Sequence, residues 1–223
     1  MQSPSQWLAW QLADSAFPSG GFAHSYGLEV LWKQGEVHGE EQLCKYLLAS
    51  MHQIRHSELP AVSTVMRDLS QFPAADAYVE AMQMNAVAAR ASRSQGRALL
   101  TAACAAFAGP RIEILRSHAS VDPGHCHHPV VFAAVAASLD MPEQNAATLY
   151  LFIALRSILS AAVRLGLIGP LRTQAILHQI QPDADRLAAQ ALGQTLADMH
   201  QSAPLLDLLR ANHNRLYSRL FQS

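Results

Sequence analysis

The sequence predicts an all-α fold, a single-domain bundle of about ten helices around one central apolar helix. Three observations carry this. Apolar residues recur at spacings of three and four along nearly the whole chain, which lines them up on one side of a helix. Alternating runs rich in Val, Ile and Thr, the mark of half-buried strands, are missing. Residues 149–165 are apolar round almost their whole circumference, as a helix covered on all sides would be. The 223 residues fit one domain spanning 1–223.

The elements follow from punctuation. A short helix is expected over 5–13, then an irregular stretch over 14–24 that holds Pro18, Gly20 and Gly21. Helical periodicity resumes over 25–33, 40–56 and 58–69. The longest pattern, 74–107, should be interrupted near Gly96 and closed by Gly109 and Pro110. A loop over 120–128 carries Pro123 and Gly124, and Pro129 is placed to open the next helix. Pro142 opens the central helix, which runs to about residue 165. Gly169 and Pro170 break the chain before a shorter helix to 179, and two more are expected over 182–200 and 204–219.

Composition narrows the function. Charged residues make up only 15% and apolar residues 50%, so either several helices are buried all round or partner chains cover part of the exterior. A net charge of -1 leaves no positive field for nucleic acid. Lysine occurs only as Lys33 and Lys45, so positive charge is almost all arginine, suited to forked contacts with carboxylates. Cys44, Cys104 and Cys126 form no CxxC pair and the start is polar, which reads as a reducing cytoplasm. Residues 146–169 approach membrane-span length, but Arg156 and Arg164 inside them favour a buried soluble helix and no membrane.

Several residues have the chemistry of sites. Tyr150, Ser157, Ser160 and Arg164 fall within about a quarter of the helix circumference, a polar stripe on the central helix. It lines a groove, an interface or a water-filled path, or it is an internal hydrogen-bonded seam. His125, Cys126, His127 and His128 put three imidazoles and a thiol within four residues, all competent for nickel or zinc. Adjacent side chains splay apart, so a closed site needs ligands from elsewhere. The alternative is a solvated loop with His128 structural beside Pro129. His52 and His56 share a helix face but lack a metalloprotease glutamate, since Gln53 follows His52, and read as a surface pair. No glycine loop precedes either lysine, so nucleotide chemistry belongs to a partner, and no GxSxG elbow is present. Gly20 and Gly21, between Phe17 and Phe22, read as a sharp turn anchored by aromatic rings.

From this turn onward the chain resembles the UreF family of urease accessory proteins. The opening pattern lies over 12–29 and ends in Ser25, Tyr26, Gly27, Leu28 and Glu29. Arg90, Ser94, Gly96, Leu99 and Leu100 resemble the family's arginine, serine, glycine and double-leucine helix. His128, Pro129 and Phe132 resemble its HP segment, and Tyr150, Ser157, Ala161, Ala162, Val163, Arg164 and Leu165 its central helix. Tyr217, Ser218, Arg219, Leu220, Phe221 and Ser223 are similar to its terminal RLF signature. Where the family often has a PLGQ-like segment, this chain carries Gly169, Pro170, Leu171, Arg172, Thr173 and Gln174. Of the histidine loop only His128 matches, so His125, Cys126 and His127 are an individual elaboration.

The resemblance implies a non-catalytic, cytoplasmic nickel-insertion chaperone that forms a homodimer and holds no stable cofactor, with nickel at most in transit. It implies a bridge between a UreD-type protein (also called UreH) and the UreG GTPase, docked on apo-urease. Tyr26, Glu29, Arg219, Leu220 and Phe221 are the expected partner interface: an amphipathic aromatic and a carboxylate after a glycine turn, and apolar groups near the chain end. The alternative for the end is that it folds back on this protein's own helices. A rival reading of the whole chain is a helical nickel-binding or storage protein built on His125, Cys126, His127 and His128.

Overall fold

The computed structural model describes residues 6–19, 21–83, 85–121, 125–211 and 218–222, with backbone alone for 22, 118–121, 207, 209 and 210. Gly20, Pro123, Gly124, Tyr217 and Ser223, named above, lie outside the described residues. The described residues form eleven α-helices, three short 3₁₀ turns and no strand, the all-α class that the periodicity predicts. The helices are α1 (Gln6–Ala13), α2 (Leu28–Lys33), α3 (Glu40–Ser57), α4 (Leu59–Arg67) and α5 (Phe72–Met82). They continue with α6 (Ala86–Ala106), α7 (Pro110–Val121), α8 (His128–Ser138), α9 (Glu143–Arg164), α10 (Pro170–Ala191) and α11 (Pro204–Ala211).

Two helices share the centre. In α9, Leu151, Ala154, Leu155, Ile158 and Leu159 are buried, with α10 packed along one side and α1, α3, α4 and α8 on others. Helix α8 is shorter and more completely covered: every residue from His128 to Ala136 is buried, between α4 and α6. Its four alanines let the neighbouring backbones approach closely. By length and composition α9 would cross a membrane, but 67% of its most apolar stretch is buried in the bundle.

Four expected boundaries are corrected. Helix α6 passes through Gly96 unbroken, and the chain breaks at 83–85 instead, where the Asn85 side chain accepts the N–H groups of Val87 (2.9 Å) and Ala88 (3.3 Å) as an N-cap. Gly96 serves contact rather than interruption, since a Cβ there would lie 1.9 Å from the carbonyl oxygen of Cys126. Helix α10 runs through Pro182, which forfeits one intrahelical hydrogen bond, because Ile176, Ile180, Ala184 and Leu187 on either side are buried in one continuous face. Pro110 opens a helix rather than only closing one, and α7 buries Ile112 and Leu115. Of the helix expected over 204–219, Pro204–Ala211 is described, 212–217 lie outside the described residues, and 218–222 are not helical.

Candidate functional site

The turn before α2 sets up the first part of the site. Tyr26 (φ 55°) and Gly27 (φ 85°) are successive left-handed residues, a conformation that glycine adopts freely and tyrosine only when held. The Tyr46 hydroxyl donates to the Tyr26 carbonyl and holds it. The reversal starts α2 so that Glu29, in its first turn, points inward and is fully buried.

A buried carboxylate needs partners, and Glu29 finds them at the far end of the chain. Leu220 N–H donates to its Oε1 at 2.7 Å and Phe221 N–H to its Oε2 at 3.2 Å. The Lys33 ammonium lies 3.6 Å from Oε1 and donates to the Ser218 hydroxyl (3.1 Å) and carbonyl, while Gln222 N–H donates to the Ala23 carbonyl at 2.8 Å. Phe221 is buried, with the Arg164 guanidinium carbon 4.1 Å from its ring centroid. Burial lowers the proton affinity of Arg164. The expected surface position is therefore corrected for Glu29 and Phe221, which are spent on this internal clasp. Arg219 and Leu220 remain exposed, and Tyr26 is half-buried.

The polar stripe of α9 divides. Ser157 donates to Ile153 O (2.8 Å), Arg164 Nε to Ser160 O (3.5 Å), and these three residues border a cleft of about 770 Å³ with Pro18, Ser19 and Gly21. Tyr150 belongs elsewhere. It lies on a partly open cavity of about 110 Å³ with His24, Tyr26, Glu58, Ser92, Gln95 and His128, roomy and polar enough for water. Tyr150 donates its hydroxyl to Glu58, so it accepts from His128 Nδ1 at 3.3 Å, which fixes that imidazole's proton on Nδ1. Burial, aided by His24, depresses His128 to about 4. Burial and then the Glu58 carboxylate raise Tyr150 well above its usual value. Neither Glu58, the partner of Tyr150, nor His24, the neighbour of His128, stands out in the sequence.

The histidine loop is held from α5 and α6. Asp76 accepts the N–H groups of Cys126 (2.8 Å) and His127 (2.7 Å), and Cys126 adopts φ 52°, which turns the chain over Gly96. His127, fully buried, meets Glu80 Oε2 at 2.6 Å through Nε2 and the Ser92 hydroxyl at 3.1 Å through Nδ1. Desolvation keeps His127 below its ordinary value in spite of Glu80. Ser92, His127 and Glu80 stand in the order of a nucleophile, base and acid, but Arg93 holds both Glu80 oxygens (2.8 and 2.7 Å) and Ser92 accepts the His128 N–H (3.1 Å). The line locks the loop in place. His125 Nδ1 lies 3.5 Å from Glu80 Oε2, and among the described residues Glu80, His125 and His127 are the one group of three convergent metal-ligand donors. Cys126 and His128 are not part of it. The His56 ring lies 4.3 Å from that of His200, so it pairs with a residue far along the chain rather than with His52.

Outside these joints the described surface carries unusually bare apolar side chains. Trp7 is 70% exposed, Trp10 62%, Leu171 88%, Leu205 73% and Leu208 64%. Exposed apolar side chains of this kind, where they are contiguous, mark surfaces through which proteins bind partners. The family model described as UreF matches residues 37–181, and the chain belongs to the UreF family of urease accessory proteins. It is 34% identical over 227 residues to urease accessory protein F of Oryza sativa subsp. indica, covering 99% of this chain and 86% of that protein. To urease accessory protein F of Arabidopsis thaliana it is 33% identical over 222 residues (98% and 92%). To UreF of Trichodesmium erythraeum it is 31% identical over 217 residues (95% and 94%).

Proposed function

We propose that this protein is a non-catalytic adaptor in urease maturation, joining a UreD/UreH-type protein to the UreG GTPase on apo-urease so that nickel is inserted there. Nickel is then cargo of the assembly, and the adaptor works in the cytoplasm as a homodimer. The observation that carries the reading is the clasp: Glu29 draws the tail, with Arg219 and Leu220 exposed, onto the start of α2, which the turn at Tyr26 and Gly27 precedes. Tyrosine and arginine are among the residues enriched at hot spots. Self-association is supported by Trp10, which borders an apolar groove of about 620 Å³ between α1, α9 and α10.

Changing Arg219→Ala is expected to leave a folded dimer that still binds the UreD-type protein but no longer retains the GTPase in pull-downs; deleting 220–223, which also removes Phe221 and both backbone donors to Glu29, should lose the GTPase as well, at some cost in stability. If the truncated protein retains the GTPase as well as the intact one, the tail surface is not the contact and this reading of it fails.

A further inference from the structure

We propose that Glu80, His125 and His127 form a binding site for one first-row divalent cation, nickel or zinc, where α5 meets the histidine loop. The proposal rests on this geometry and not on the adaptor reading. One donor atom from each residue lies within 4.8 Å of the other two. A tetrahedral ion with bonds of about 2.0–2.1 Å needs its ligands about 3.3 Å apart. His125 Nδ1 and Glu80 Oε2 are at 3.5 Å already, and the 2.6 Å between His127 Nε2 and Glu80 Oε2 has to open by less than an ångström.

The surroundings suit an ion better than a chance meeting of side chains would. Asp76 fixes the backbone on both sides of the left-handed Cys126, so the two imidazoles are directed to the same side before any metal arrives. Their ring centroids lie 6.0 Å apart. In the metal-free chain His127 Nε2 donates to the Glu80 carboxylate; with a metal on Nε2 the ring proton sits on Nδ1, from which the Ser92 hydroxyl at 3.1 Å accepts a hydrogen bond, the outer contact that metal-binding histidines usually make. The His125 side chain is 44% exposed and that of Glu80 32%, which leaves a way in and room for water as a fourth ligand. Two nitrogens and one carboxylate fit nickel or zinc, whereas magnesium and calcium demand oxygen donors.

Arg93 is the competitor. Its guanidinium occupies the same carboxylate, and with Asp76 and Glu80 it leaves the cluster a single net negative charge. A metal has to share Glu80 with it.

The test uses the full-length, metal-free chain titrated separately with nickel, zinc and magnesium salts. One equivalent of nickel or zinc should bind, each displacing the other, with no binding of magnesium. His125→Ala and Glu80→Gln, neither of which removes a buried side chain, should each weaken binding at least about tenfold with the helical circular dichroism unchanged. Arg93→Gln should bind several-fold more tightly. X-ray absorption of the nickel form should show two imidazoles and no sulfur. Undiminished binding by His125→Ala, a sulfur ligand, or loss of binding only in His56→Ala, which would move the ion to the His56–His200 pair, would each overturn the site.

Discussion

The carboxylate of Glu29 accepts the backbone N–H of Leu220 at 2.7 Å, joining the first turn of α2 to a residue 191 positions further along the chain. Lys33 balances the charge from one turn on. Glu29→Gln keeps the shape but presents an amide N–H₂ to one of the two donors. It should cost about 1–3 kcal/mol, the range for hydrogen bonds to a charged group or a buried donor left unpaired. Amide hydrogen exchange at residues 220–222 should become fast, while α8 and α9 keep their protection. Unchanged protection of the tail would show that the packing of Phe221 beside Arg164 suffices alone.

Gly96→Ala tests the crossing of α6 by the histidine loop. The new methyl would meet the Cys126 carbonyl at 1.9 Å, with backbone on both sides and no flexible side chain to give way. We expect a loss of about 1–3 kcal/mol or more in denaturant unfolding, as for other over-packed sites. A variant as stable as the parent would mean that the loop moves off the helix without cost.

His128 gives the fold a pH dependence of definite sign. Its folded value of about 4 lies below the ordinary 6.5, so between these limits the unfolded chain binds a proton that the folded chain refuses. Stability from this group is complete above pH 6.5 and is lost as pH falls toward 4, on the order of 3 kcal/mol in all. Melting temperatures measured across that window should fall less steeply for His128→Gln than for the parent. An identical slope would assign the acid sensitivity to other groups.

The fold was legible because three-and-four spacing persists through α3, α6, α9 and α10, and tertiary packing does not contradict it. Its breaks were less so. Gly96 and Pro182 carry the local mark of an ending, yet a close crossing in one case and a continuous buried face in the other keep the helix going. Asn85, a true cap, lacks any neighbouring glycine or proline to announce it. In the site, His125 and His127 were visible as neighbours in sequence, but Glu80 sits in an ordinary helix turn and joins them only through the fold. Likewise three-and-four spacing says nothing of Glu29 and Phe221, whose meeting depends on how the whole bundle closes.

The chain's three tryptophans, Trp7, Trp10 and Trp32, are 70%, 62% and 37% exposed. None is in the core, so indole emission from the free protein should already be red-shifted and should change little on melting. Heat unfolding followed by fluorescence would then understate the transition that circular dichroism records. For an assembling partner the same placement is an advantage. Trp32 stands on α2 beside the clasp and Trp10 borders the apolar groove, so Trp32→Phe leaves the α1 signal alone, whereas isolating Trp32 takes both Trp7→Phe and Trp10→Phe.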